Sequence, residues 1–175
     1  MSKDNRTADQ NSLLKELTSA DSERVIEALN SLHESGKVSD IPVLIELMNQ
    51  TQYPEIKSKI AGLFGNLKEK EAAPLMIDAI KNPKYTSILK ELVSSCWENG
   101  LHFSKYLSVF VDLLIENDLI ISFEAYTVIM NNEHRIDAEI IDLEIDRLEK
   151  ALPAISEQKR PLIIDVIDFL PSVRF

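Results

Sequence analysis

Apolar and polar positions along this chain fall into blocks, and one five-residue block returns through the whole length. Leu13-Leu14-Lys15-Glu16-Leu17 is followed by Val43-Leu44-Ile45-Glu46-Leu47, Leu75-Met76-Ile77-Asp78-Ala79, Val109-Phe110-Val111-Asp112-Leu113 and Leu143-Glu144-Ile145-Asp146-Arg147. The acidic column Glu16, Glu46, Asp78, Asp112, Asp146 has spacings of 30, 32, 34 and 34 residues, a period that fits a two-helix repeat. Between the copies lies a second apolar segment. Ile56, Ile60, Leu63, Phe64 and Leu67 are separated by 4, 3, 1 and 3, the stripe of a helix buried along one face. Each repeat therefore reads as helix, turn, helix, and the chain as an all-α stack of helical pairs.

The pattern predicts pairs at about 12–18 with 21–34, 40–50 with 54–67, 71–82 with 84–98, 103–116 with 119–131, and 137–152 with 157–170. Pro42, Pro54, Pro74, Pro83 and Pro161 stand at or near segment starts, where a missing backbone N–H is harmless and a fixed φ suits the first turn. Gly36 and Gly100 follow apolar stretches and are suited to the left-handed conformation that ends a helix. Asp21, Ser39 or Asp40, and Asp137 are the expected N-caps. Residues 141–146 alternate like a strand, but Ala138, Ile141, Ile145, Leu148 and Leu152 make a helical stripe, and its length favours helix. Residues 1–10 read as a flexible polar leader and 11–175 as a single domain.

Ile56-Lys57-Ser58-Lys59-Ile60-Ala61-Gly62-Leu63-Phe64-Gly65-Asn66-Leu67 resembles the second helix of a HEAT-like repeat, of the type found in phycobilisome lyases. Glu71 to Ile80 resembles the first helix of the next repeat, and Asn82-Pro83 the turn within it. The likeness covers most of residues 12–98; beyond residue 100 it is carried by helix pattern, and Trp97 and Asn99 depart from the small and apolar residues usual there. It implies a right-handed α-α superhelix, an α-solenoid of HEAT-like or armadillo type with about five helical pairs. It also implies a non-catalytic scaffold or adaptor that holds a protein segment on its stacked second helices. Relatives of other kinds exist, among them bilin lyase components and DNA glycosylases for alkylated bases, and a structural subunit of a larger complex is a further alternative.

Composition narrows the function classes. The formal charge is −10, and residues 91–175 carry most of the excess, with 16 Asp/Glu against 7 Lys/Arg. Nucleic-acid binding draws on cationic side chains, so such a chain is repelled from phosphate, and a DNA or RNA partner is not expected. The single cysteine, Cys96, allows no internal disulfide, and no basic-plus-apolar leader is visible, which together point to the cytoplasm. The apolar runs are far below the roughly 20 residues a membrane-spanning helix needs.

No catalytic, cofactor or metal residues are assigned. His33, His102 and His134 stand apart in sequence, without H-E-x-x-H or paired-cysteine spacing. A Cys96–His102 nucleophile and base is possible on proximity, but Cys96 falls at a core position of its helix. Asp142 and Asp146 share a helix face at i, i+4, as either a solvated face or a cation site, with the former favoured. Gly62-Leu63-Phe64-Gly65 resembles a backbone clamp on nucleic acid, yet it lies within a helix where close helix approach explains small residues.

Surfaces hold more interest. Seven lysines between residues 55 and 90 face four acids, whereas 137–149 holds six acids and Arg147. This polarity suits a steered protein contact on Lys57, Lys59 and Lys68, with Trp97 and Phe169 as further candidate partner-binding residues. The segment 161–170 is apolar almost all round. Either both its flanks bury against the preceding pair, or a patch remains for a partner or for a homodimer.

Overall fold

The computed structural model describes residues 15–19, 21–35 and 37–175. The expected leader at 1–10, Gly36 and the side chain of His33 lie outside the described residues. The helices are α1 Ser22–Ser35, α2 Ile41–Gln50, α3 Pro54–Gly65, α4 Ala72–Ile80, α5 Leu89–Glu98, α6 Leu107–Glu116, α7 Leu119–Met130, α8 Ala138–Ala151 and α9 Arg160–Phe169. Residues 15–17 are helical ahead of α1. Among the described residues there is no strand, only an isolated parallel bridge between Ile136 and Arg174.

This is an all-α helical-repeat fold in two layers. Within a repeat, α2 packs on α3, α4 on α5, α6 on α7 and α8 on α9; between repeats α1, α3, α5, α7 and α9 stack in order, and α2 meets α4 as α6 meets α8. One hydrophobic core runs between the layers from Leu17 to Val173. Ile56, Ile60 and Phe64 are buried as the stripe requires, and Phe110, Leu92 and Met76 are shut from water. Each such side chain contributes about 1.5–3 kcal/mol by leaving water. The strand-like stretch at 141–146 lies inside α8, with Ile141 and Leu148 buried.

Punctuation accounts for the boundaries. Asp21 accepts from the Glu23 amide at 3.0 Å, and Asp137 from the Glu139 amide at 2.8 Å. Asp118, which pattern reading missed, caps α7 by accepting from Ile121 N–H at 3.0 Å. The cap expected of Ser39 or Asp40 does not form. The Asp40 carboxylate turns back to accept from the Lys37 amide at 2.9 Å, closing the 3-10 turn Val38–Asp40 instead. Gly100 has φ +68°, the left-handed geometry expected after a helix.

The predicted helix 84–98 is also corrected: it opens as a 3-10 segment, Pro83–Ile88, with Tyr85 at φ −103°, ψ 19°, and becomes α-helical only at Leu89. The Asn82 side chain caps Lys84 N–H at 3.0 Å, while Lys84 and Tyr85 both reach back to Glu46 on α2. Those contacts hold the tighter turn in place.

Candidate interaction surface on the second-helix layer

The acidic column sits on α2, α4, α6 and α8, with Glu16 in the helical residues before α1. Two of its members, Glu46 and Asp112, act as ties between repeats. Glu46 accepts from Lys84 Nζ at 2.6 Å and from Tyr85 Oη at 3.1 Å. The Lys84 hydrogen bond holds the Glu46 carboxyl below its ordinary range and raises the Lys84 ammonium. Two repeats on, Arg147 of α8 spans Asp112 of α6 and Glu144 of its own helix, the latter at 2.7 Å. Glu144 is fully buried, and its other oxygen accepts from Ser108 Oγ at 2.5 Å. The Asp112 carboxylate raises the Arg147 guanidinium further.

Asp142 and Asp146 are each engaged by a cationic side chain. Asp142 pairs with Arg174 at 2.6 Å and Asp146 with Lys150 at 2.5 Å, so each carboxylate already has its own cation. Among the described residues no group of three or more His, Cys, Asp or Glu is placed to hold a metal ion.

Two histidine expectations change. His102 and His134 are not isolated: their rings meet edge to face with centroids 3.6 Å apart, on a cleft of about 230 Å³ shared with Cys96, Trp97 and Asn132. They lie one repeat period apart in sequence, so equivalent turns of adjacent repeats bring them together. That spacing was the signal available. Cys96, in contrast, is a core residue. It is 2% exposed, donates to the Leu92 carbonyl at 3.4 Å, and burial pushes its thiol pKa up, which disfavours the thiolate a nucleophile needs.

On the second-helix layer, polar ties again run between repeats. Lys59 donates to Asn30 of α1 at 2.9 Å, and Lys68 to the Asn99 carbonyl at 3.4 Å, while Lys57 is half-buried on α3. At Gly65 a Cβ would meet the Glu98 carboxylate of α5 at 2.6 Å, whereas Gly62 faces open space. Trp97 donates from Nε1 to Glu124 of α7 at 2.8 Å, and Tyr126 Oη to Asp165 of α9 at 3.3 Å. The candidate residues therefore do not converge on one spot. Lys57 and Lys59 lie on α3, Lys68 after it, Trp97 on α5, and Phe169 is half-buried against the core at the end of α9.

The surface that stands out was not singled out from sequence. On α7, Leu119, Ile120 and Phe123 are 41%, 59% and 53% exposed. Trp97 at 37% lies to one side of this stripe, through its bond to Glu124, and Ile164 at 43% to the other, next to Asp165. Phe123 packs against Tyr126 with ring centroids 6.0 Å apart. In the C-terminal segment Ile163, Val166 and Leu170 are buried, and Ile164 is the large hydrophobic side chain of α9 that is exposed.

The class these observations define is an all-α repeat protein with a partly apolar outer face. No protein-family model matches the chain, and no curated protein matches it. The fold is similar to the crystal structure of an engineered protein from the Northeast Structural Genomics Consortium, at a TM-score of 0.51 and 18% identity, over 93% of this chain and 79% of that one. Among the described residues no helix is long and apolar enough to cross a membrane.

Proposed function

We propose that this chain is a non-catalytic, cytoplasmic protein-binding scaffold built from HEAT-like repeats. The observation that carries the reading is the set of exposed apolar and aromatic side chains on the neighbouring helices α5, α7 and α9, beside a core that the chain builds for itself. Apolar surface gathered on neighbouring helices marks contact sites on proteins. The ties from Trp97 to Glu124 and from Tyr126 to Asp165 hold the three helices as one platform. A glycosylase reading finds less support, because the face carries acids where phosphate contact requires cations.

Affinity capture from native extract tests the reading, with wild type, Ile120→Ser/Phe123→Ser and Lys57→Glu/Lys59→Glu as parallel baits. A partner retained by wild type and lost with either variant supports a scaffold and assigns its surface. An identical protein set on all three baits removes it.

A further inference from the structure

The face on α7 has a rim as well as a centre, and the rim is acidic. Glu116 and Asp118 flank the start of the stripe, Glu124 lies on its α5 side, and Asp165 and Asp168 lie on the α9 side. Three of these are held in place: Asp118 by the Ile121 amide, Glu124 by the Trp97 indole and Asp165 by the Tyr126 hydroxyl. Against these acids stand Lys159, whose ammonium is turned onto the Ile115 and Asn117 carbonyls at 2.8 and 2.7 Å beside Glu116 and Asp118, and Arg160, whose guanidinium donates to the Ile155 carbonyl at 3.4 Å. Carboxylates that outnumber the cations along the border of apolar side chains select for their complement, apolar residues bordered by positive charge.

The occupant follows from that charge. A second copy meeting this one through a two-fold contact would set the same acids against one another, in the half of the chain that holds 16 acids and 7 basic residues. Nucleic acid and anionic lipid are repelled for the same reason. We infer that the exposed face of α7, with Trp97 and Ile164 at its borders, seats a cationic amphipathic helix of another protein. Leu119, Ile120 and Phe123 receive its apolar stripe, and Glu116, Glu124 and Asp168 meet its Lys and Arg side chains. Ile120 and Phe123 stand three residues apart and Leu119 and Phe123 four apart, so they share one side of α7 and offer an apolar strip to the anchors of a docked helix. This deepens the scaffold reading and rests on it.

The probe is a fluorescein-labelled amphipathic peptide of leucine and lysine, about 18 residues long so that it can hold a helix once bound. Its counterpart carries glutamate in place of every lysine. Fluorescence anisotropy is followed with wild type, Ile120→Ser/Phe123→Ser and Glu116→Gln/Asp168→Asn, all changed at exposed positions, with circular dichroism and Tm confirming the fold. The lysine peptide binds wild type, and binding weakens as salt rises. The apolar double variant loses about tenfold or more in affinity, and the charge double variant loses affinity together with part of the salt dependence. The glutamate peptide does not bind.

Equal affinity for the two peptides, or lysine-peptide binding unaffected by Ile120→Ser/Phe123→Ser, overturns the inference. So does light scattering that shows a dimer dissociated by the same variant, which would make a second copy the occupant. If native-extract capture depends on this face while the lysine peptide fails to bind, the cationic occupant is wrong and the scaffold reading stands. If neither depends on the face, the inference falls, and the scaffold reading falls with it unless capture is lost with Lys57→Glu/Lys59→Glu.

Discussion

Removing the guanidinium of Arg147 tests the reading of the α6–α8 junction directly. The Glu144 side chain is 1% exposed and its two oxygens have one protein donor each, Arg147 and Ser108. Arg147→Leu leaves a buried carboxylate with a hydroxyl alone. Breaking a fully buried pair costs roughly 3–5 kcal/mol. Here Arg147 is 35% exposed and shares its charge with the half-exposed Asp112, so solvent screens part of the loss. About 2–3 kcal/mol remains, which for a domain of this size lowers Tm by roughly 5–10 °C. Urea unfolding at neutral pH and a thermal melt measure it. Glu144→Leu/Arg147→Leu removes the stranded charge as well, and it should recover at least about 1 kcal/mol of the single variant's loss, because Ser108 is exposed enough to turn to water. A single variant within about 0.5 kcal/mol of wild type, or a double variant no more stable than the single, would refute the reasoning.

Other consequences are equally open to measurement. Because Lys84 lowers the Glu46 pKa in the folded state, the stability Glu46 contributes is present above its ordinary value of 4.5 and is lost as pH falls through the lower folded value; denaturation curves of wild type and Glu46→Gln should differ at neutral pH and converge in acid. Cys96 should resist thiol reagents in the native protein and react at the rate of unfolding, so labelling as fast as that of a free thiol in buffer would contradict its burial. Gly62 sits in α3 with nothing within 4 Å of the place a Cβ would take, so Gly62→Ala should stabilise by about 0.5–1 kcal/mol. Gly100→Ala, at φ +68°, should destabilise by about 1–2 kcal/mol; equal effects at the two glycines would show that backbone conformation does not decide them.

The helices were legible because burial on one face leaves a 3.6-residue period, and the period is carried by single residues such as Ile56, Ile60 and Phe64. What failed to show was what the period does not encode. Glu144 reads as one acid among six between 137 and 149, yet spacings of 3 and 4 put it on the same face as Ile141 and Leu148, so it goes into the core with them. On α7 the difficulty is reversed. Apolar residues surround the helix, and no periodicity tells Ser122 and Ala125, which are buried, from Ile120 and Phe123, which are not. The late α-helical start at Leu89 depends on a carboxylate 38 residues before Lys84, that of Glu46, and local propensity cannot register such a contact. The candidate site suffered most, since neighbours across a repeat boundary are set by stacking, as His102 and His134 show.

Trp97 is the only tryptophan in the chain, and it stands where the third pair meets the fourth. The protein thus carries a built-in optical probe at one known boundary. A change in the angle between these repeats, or a visitor on the neighbouring helix, alters the distance from the indole to its carboxylate partner and with it the colour and lifetime of the emission. Motion at the ends of the stack leaves that signal untouched. A spectroscopist can therefore watch one joint of this molecule bend without attaching a label.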